Sequence, residues 1–131
     1  MLLDTSGLLS YFDARDPHHN EAVRLFTTKP RRLTHSYVLA ELVALCNARR
    51  LPRAASLAFV ADLMDNPHVE MHWVDQPTFT TALALLQARP DKAYSQCDAV
   101  SFILMRENGV TESLTTDHHF EQEGFIRLLK P

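Results

Sequence analysis

The chain has 131 residues and a net charge of −3, and 46% of its residues are hydrophobic. A chain of this length buries roughly two-thirds of its extended surface on folding, so we expect one domain over residues 1–131. The composition excludes a disordered chain, and no stretch of about 18 apolar residues predicts a membrane span. The negative net charge disfavours binding nucleic acid through the overall field, because neutralising phosphates requires Lys and Arg.

Two features bear on the compartment. Cys46 and Cys97 stand in apolar, helical segments without the spacing of metal ligands, so we expect both to be reduced core residues. The amino terminus has no basic region followed by a long apolar stretch, which favours the cytoplasm.

Short predicted strands alternate with helices along the chain. The first half begins with a predicted strand over 1–3 and a helix over 6–12 with Ser6 as a possible cap. A second helix begins at 16–19 and ends at 29–30, and a weak strand follows over 33–34. Two helices come next, one over 37–49 with Ser36 as its cap and one over 53–64. The second half predicts a strand over 69–74, helices over 77–88 and 95–108, and strands over 113–116 and 125–129.

This alternation predicts a parallel sheet, because parallel strands need crossover connections and the crossovers here are helices. Helices on both faces of such a sheet give the α/β class, as a three-layer α/β/α sandwich around a central parallel sheet.

Acidic residues follow two of the predicted strands. Asp4 comes directly after the strand at 1–3, and Asp117 comes directly after the strand at 113–116. In an open parallel sheet, ligands bind beyond the carboxyl ends of the strands, at the point where the strand order reverses. We therefore expect the two carboxylates to share one crevice.

Two further acids lie on apolar helix faces. Glu41 fills the i+3 position of an i, i+3, i+4, i+7 stripe whose other members, at 38, 42 and 45, are apolar, so we expect its carboxylate along the buried stripe. Asp98 shares a helix face with Phe102 and Met105. A buried, unpaired carboxylate is costly and takes up a proton, or finds a cation or hydrogen-bond donors.

Each acid also has a structural interpretation that the sequence leaves open. Asp4 is placed to cap the first helix, Asp117 to cap a short helix over 118–123, and Ser95 with Asp98 fits an S-x-x-D capping box. Glu41 would instead pair with an arginine. Two carboxylates about 5 Å apart repel by about 3 kcal/mol at an effective dielectric of about 20, so four converging acids must either hold protons or bind a divalent cation. Oxygen-only ligands suit Mg²⁺ or Mn²⁺.

The segments around these acids resemble the PIN-domain ribonucleases, a family that includes the VapC-type toxins of bacterial toxin–antitoxin pairs. The resemblance covers the full chain and rests on four motifs, which are Leu3-Asp4-Thr5-Ser6, Ala40-Glu41-Leu42, Ser95-x-x-Asp98-Ala99, and Thr115-Thr116-Asp117 with His119-Phe120 and Gly124-Phe125 after it. It implies neighbouring strands for Asp4 and Asp117. It also implies that four acids bind the metal with polar support from four neighbours: Asp4, Glu41, Asp98 and Asp117, supported by Thr5, Ser6, Ser95 and Thr116. It implies no role for Lys92, His118 or His119.

The resemblance further implies an endoribonuclease that hydrolyses RNA with Mg²⁺ or Mn²⁺, in a homodimer, as the toxin of a VapBC-type pair with a VapB-like antitoxin. An acidic pocket requires that RNA be held elsewhere, and two basic clusters are candidates for phosphate contacts: Arg31 with Arg32, and Arg49 with Arg50 and Arg53. Their alternative interpretation is solvated helix ends. A stand-alone PIN nuclease in RNA processing and a non-catalytic RNA-binding or interaction module are the other functional alternatives.

Other phosphate and metal chemistries fit less well. A haloacid dehalogenase-type phosphatase needs a second Asp two residues after the first, where this chain has Ser6, and a receiver domain needs an acidic pair where Asp4 stands alone. Zinc hydrolysis has seven histidines in its favour, but the pairs at 18–19 and 118–119 lack a zinc-binding spacing.

Overall fold

The structure, a computed structural model, describes residues 1–131, and each strand and helix lies within two residues of its predicted bounds. The helices are α1 (Thr5–Phe12), α2 (His19–Thr28), α3 (Ser36–Ala48), α4 (Arg53–Asp65), α5 (Gln76–Ala88), α6 (Gln96–Asn108) and α7 (His119–Gln122). The strands are β1 (Leu2–Leu3), β2 (Leu33–His35), β3 (Glu70–His72), β4 (Glu112–Leu114) and β5 (Ile126–Arg127). None of the helices has the length and apolar character needed to cross a membrane.

The five strands form one parallel sheet in the order β3-β2-β1-β4-β5. β2 and then β3 are added on one side of β1, and the chain then crosses back so that β4 lies on the other side of β1. The strand order therefore reverses between β1 and β4, which is where ligands bind in open parallel sheets. The predicted adjacency of these two strands is confirmed, since Leu3 of β1 pairs with Leu114 of β4.

The two faces of the sheet bury different helices. Leu3 packs into a core with Leu8 of α1 and Leu42 of α3, whereas Leu2 packs with Phe102 of α6. Neighbouring residues of a strand point to opposite faces, so α1 to α4 cover one face and α5 to α7 cover the other. The predicted three-layer α/β/α class is confirmed.

The start of α3 differs from its prediction. Its N-cap residue is His35, whose ring Nδ1 accepts the backbone N–H of Val38 at 3.4 Å, so the prediction that Ser36 caps this helix is wrong. The His35 ring is fully buried at the end of β2, and its Nε2 lies 2.8 Å from Ser101 Oγ on α6. Because Nδ1 accepts a hydrogen bond, the ring proton is on Nε2, which faces Ser101. The imidazole therefore links α3, on one face of the sheet, to α6, on the other.

Gly7 brings α1 against β4. A Cβ atom added to Gly7 would lie 1.9 Å from the carbonyl oxygen of Leu114, so only glycine permits this approach. The same oxygen accepts the backbone N–H of Asp4 at 3.2 Å. The start of α1 is thereby fixed against the end of β4, with Asp4 rather than Ser6 at the N-cap position.

Candidate active site

Hydroxyl groups hold Asp4 where β1 and β4 end. Thr115 Oγ1 donates to Asp4 Oδ2 at 2.6 Å, and Ser6 Oγ lies 3.1 Å from the same Thr115 oxygen. The backbone N–H of Asp117 donates to Thr115 Oγ1 at 3.0 Å, and that of Thr116 donates to Ser6 Oγ at 3.0 Å. These bonds join the ends of the two strands and set the distance between their acids.

The structural interpretations of three acids have different outcomes. The Asp4 carboxylate makes no capping bond to α1, because Thr115 engages it, so that interpretation is wrong. Asp98 does form the predicted capping box, in which Ser95 Oγ accepts the Asp98 N–H and Asp98 Oδ2 accepts the Ser95 N–H, both at 3.0 Å. Asp117 Oδ1 accepts the N–H of His119, the first residue of α7, at 2.9 Å. Asp117 therefore bonds to the start of α7 as predicted, but the N-cap residue itself is His118. Capping leaves one oxygen of Asp98 and one of Asp117 without a hydrogen bond.

Glu41 departs from its predicted burial. Val38 and Leu42 are buried as the stripe predicts, but the Glu41 side chain is exposed, so the expectation of a buried glutamate is wrong. Glu41 lies at the edge of the stripe, beside the buried thiol of Cys97 at the start of α6. It therefore occupies the rim of the site, where its carboxylate is within electrostatic reach of Asp4.

Charge interactions connect the acids in a row from Glu41 to Asp117. Burial raises the pKa of Asp4 to about 7, and the charges of Asp98 and Glu41 add to this while the Thr115 hydrogen bond opposes it. Burial also raises the pKa of Asp98, with a further contribution from Asp117. The four predicted acids are thus linked by charge interactions in the order Glu41, Asp4, Asp98 and Asp117. The one group of side chains whose possible ligand atoms all lie within 4.8 Å of one another is Asp117, His118 and His119.

Two polar residues missed by the sequence analysis lie in this row. Thr115 provides the side-chain support that was predicted for Thr116, which contributes only its backbone N–H. His119 Nδ1 lies 3.4 Å from Asp98 Oδ2 and 3.3 Å from Asp117 Oδ1. The sequence analysis gave His119 no role; the D-x-H spacing after the strand, next to the apolar Phe120, is the signal that could have found it.

The site has the properties of a cation site. Its acids offer oxygen ligands, and two buried polar atoms beside them, Thr5 Oγ1 and His119 Nδ1, have no hydrogen-bond partner. Buried polar atoms are nearly always paired, so unpaired ones at an acid cluster indicate room for a bound ion and its water. The residues present therefore fit a divalent cation.

The predicted RNA-binding arginines lie far from the acids. Arg31 donates to Glu70 and to the carbonyl oxygen of Asn108, and Arg32 donates to the carbonyl oxygen of Phe26. Both stand before the amino end of β2, whereas the acids lie at the carboxyl ends of strands. The other three are exposed, without ion pairs, at and after the far end of α3: Arg49, Arg50 and Arg53. Arg49 lies about 12 Å along the helix axis from Glu41.

No enclosed cavity surrounds the acids. The larger of two open cavities, about 440 Å³, lies between the end of α1 and the turn from α3 to α4, and the other, about 300 Å³, lies beside Tyr11 and Phe26. Neither is lined by an acid of the row. The row therefore lies outside both cavities, at the carboxyl ends of β1 and β4.

The topology and the acid row define a known class of protein. The sequence profile of the PIN domain family matches residues 1–125, and the chain belongs to this family of metal-dependent nucleases. In two strains of Mycobacterium tuberculosis, CDC 1551 / Oshkosh and H37Rv, the 23S rRNA-specific endonuclease VapC20 is 32% identical to this chain over 129 residues, which are 98% of this chain and 97% of VapC20. The crystal structure of VapC20 from that organism, described as a sarcin-ricin loop cleaving toxin, matches with a TM-score of 0.88 and 30% identity, over 99% of this chain and 98% of that one.

Proposed function

We propose that this protein is an endoribonuclease that hydrolyses RNA phosphodiester bonds with Mg²⁺ or Mn²⁺, as the toxin of a VapBC-type pair. The observation that carries the proposal is the row of Asp4, Glu41, Asp98 and Asp117 at the point where the strand order reverses. No lysine or arginine forms an ion pair with any of these acids, so their charge is left for a bound cation.

The residues of the chain prepare the site for such an ion. A bound cation would neutralise the charge of the scissile phosphate and activate the attacking water. Thr115 fixes the orientation of Asp4 through one oxygen, and the Ser95 N–H does the same for Asp98. The hydrogen bonds of each carboxylate fall on one oxygen only, so the other oxygen is free to face the ion and its water.

The substrate that we propose is ribosomal RNA. The relative with full-length similarity, VapC20, is named for cleaving 23S rRNA, and its structure for cleaving the sarcin-ricin loop. The acids lie outside both cavities of the structure, so a backbone segment that protrudes from a large folded RNA would reach them without entering a pocket. Such a substrate lies in the cytoplasm, where we propose that the protein acts. Arg49, Arg50 and Arg53 are unpaired and would contact phosphates distant from the cleaved bond.

Two protein partners form part of the proposal. A VapB-like antitoxin would inhibit by placing basic side chains against the acid row, which has no basic side chain of its own except the histidines. A homodimer would cover part of the exposed apolar surface, which includes Trp73, Phe79 and Leu83. A stand-alone PIN nuclease in RNA processing differs only in lacking the antitoxin.

Cleavage assays on the full chain test the proposed function. Purified protein is incubated with 23S rRNA, transfer RNA, messenger RNA and flap DNA, first with Mn²⁺ or Mg²⁺ and then with a chelator. We expect cation-dependent cuts in the sarcin-ricin loop of 23S rRNA. Asp98→Asn should abolish them while leaving the fold intact, because the amide oxygen still accepts the Ser95 N–H.

The control variant is Asp62→Asn, which neutralises an exposed acid on α4 away from the site. Cleavage that survives chelation, or an Asp98→Asn variant with full activity, would contradict the proposal. RNA binding without cleavage and without measurable cation binding would instead support the non-catalytic RNA-binding module.

A further inference from the structure

The larger cavity of the structure lies where α1 and the turn from α3 to α4 meet. Its volume is about 440 Å³, and residues 12–15 and 50–52 line it. Both helices begin beside the acid row and end at this cavity, yet none of the four acids belongs to its lining. Concave surfaces of this size with a mixed apolar and polar lining are the usual binding places of small molecules and nucleotides.

The charged side chains of this cavity leave it basic. Arg15 and Arg50 line it together with one acid, Asp13, whose carboxylate accepts hydrogen bonds from the Arg15 N–H at 3.0 Å and from Arg15 Nε at 3.1 Å. These bonds lower the pKa of Asp13, and the charge of Arg49 lowers it further. The acid is thus neutralised within the chain, whereas the Arg50 guanidinium and the terminal nitrogens of Arg15 have no protein partner.

The backbone of Arg50 shows that the chain keeps this side chain at a cost. Three helix ends share one arrangement, in which an N–H bonds to the carbonyl five residues earlier and the residue before that N–H is left-handed. After α6 and α7 the left-handed residue is Gly109 or Gly124, but after α3 it is Arg50, at φ 55°. Glycine adopts this conformation without strain and arginine does not, so a requirement outside the fold accounts for the arginine.

The cavity is within reach of an RNA strand bound at the acids. Phe12 lies about 12 Å along α1 from Asp4, and Arg49 lies about 12 Å along α3 from Glu41. Stacked nucleotides rise about 3.4 Å each, so a strand covers this distance in about four nucleotides. Between Glu41 and Arg49 the exposed side chains of α3 are uncharged, so none of them repels phosphates: Ala44, Asn47 and Ala48.

We infer that this cavity is a nucleotide subsite for the RNA substrate, with a phosphate on Arg50 and Arg15 and a base against the apolar lining, about four nucleotides from the cut. The inference rests on the proposed function for the identity of the ligand. Guanidinium groups match phosphate oxygens in a two-point geometry, and aromatic side chains stack bases of any sequence. Phe12 is stacked on Phe59 with ring centroids 4.8 Å apart, so the apolar lining is formed before RNA binds.

Two substitutions of Arg50 separate its charge from its backbone conformation. Arg50→Gly removes the charge and relieves the left-handed φ, whereas Arg50→Gln removes the charge alone. We expect Arg50→Gly to melt about 3 °C above the wild type and Arg50→Gln to melt close to it. Both should bind RNA more weakly. A residue with a merely structural role would not lose RNA binding while the protein becomes more stable.

Fluorescence anisotropy of a labelled single-stranded RNA, in chelator to prevent cation-dependent cleavage, measures the affinity. For single strands, each phosphate contact adds about 0.7 to the slope of the logarithm of affinity against the logarithm of salt concentration. Both Arg50 variants should lose about tenfold in affinity and about 0.7 in this slope. The matched control is Arg24→Gln, which removes the same charge from α2 outside the cavity and should change neither quantity.

Nuclear magnetic resonance of the ¹⁵N-labelled chain locates the bound RNA. The amide signals of residues 12–15 and 50–51 should shift when RNA is added, and less so in Arg50→Gly. Unchanged affinity and salt slope in both Arg50 variants, or signals there that respond to an acidic peptide and not to RNA, would overturn the subsite and leave the nuclease proposal standing. RNA binding at the cavity by a chain that cleaves no RNA would instead support the subsite and overturn the nuclease.

Discussion

The burial of Asp4 makes a quantitative prediction about the metal-free protein. Asp4 is 5% exposed, and its pKa is raised from 3.8 to about 7, first by burial and then by the charges of Asp98 and Glu41. The folded protein therefore holds a proton on Asp4 more tightly than the unfolded chain does. The stability that this proton provides is complete below about pH 3.8 and is lost as the pH rises through about 7.

The size of the effect follows from the shift. One pKa unit corresponds to about 1.4 kcal/mol, so raising the pH to 8 removes about 4 kcal/mol from the free energy of unfolding, in order of magnitude. Asp4→Asn has no charge to bury and keeps an oxygen that accepts the Thr115 hydroxyl hydrogen. In chelator at pH 8 we expect this variant to melt about 10 °C above the wild type, and at pH 5 only a few degrees above it.

Circular dichroism melting between pH 5 and pH 8, in chelator and then with Mn²⁺, measures this difference. Saturating Mn²⁺ should stabilise the wild type, because the ion binds the folded, ionised site, and should have little effect on Asp4→Asn. Asp62→Asn is again the control and should follow the wild type. If the melting temperatures of wild type and Asp4→Asn stay parallel from pH 5 to pH 8 in chelator, the buried charge of Asp4 is not a cost to folding and the reasoning is refuted.

Two further predictions concern the frame around the site. Gly7→Ala should lower the free energy of unfolding by at least about 3 kcal/mol, because its Cβ would overlap the Leu114 carbonyl oxygen, and a loss below about 1 kcal/mol in urea unfolding would contradict this. Burial lowers the pKa of His35 to about 3, so the unfolded chain takes up this proton first and stability falls as the pH drops from about 6.5 towards 3. His35→Gln should therefore lose less stability than the wild type between pH 7 and pH 4.5, and equal losses in parallel denaturation curves would argue against this account.

Much of the fold was predictable because its signals are local. Helix periodicity, the prolines at 30 and 67, and Gly109 at the end of α6 fix where elements begin and end. The alternation of strands and helices then leaves few arrangements, since parallel strands require right-handed crossovers. The caps of α1 and α3 were mispredicted because tertiary contacts decide them: the Asp4 carboxylate accepts a hydrogen bond from Thr115, which follows β4, and the His35 ring occupies the position predicted for Ser36.

The candidate site was predictable only in part. The positions of Asp4 and Asp117 after strands indicated a shared crevice, and the family resemblance added Glu41 and Asp98. Periodicity gave the wrong burial for Glu41, because a helix stripe has edges and only three-dimensional packing shows which of its residues reach the sheet. The role of Gly7 depends on its contact with Leu114, far away in sequence, and no pattern along the chain reports it. The D-x-H spacing at 117–119 was a signal for His119, but it does not show which acids the ring lies beside.

A comparison within the molecule distinguishes a cation site from a structural ion pair. The side chain of Glu123 is 4% exposed, and burial acts to raise its pKa. Its pKa is nevertheless lowered, because Arg106 and Arg89 donate hydrogen bonds to it. Asp4 has hydroxyl, backbone and carboxylate neighbours but no arginine or lysine, and its pKa is raised. The fold thus neutralises one buried acid with its own residues and leaves the other to be neutralised from outside, which is the arrangement that a nuclease requires of its metal ligands.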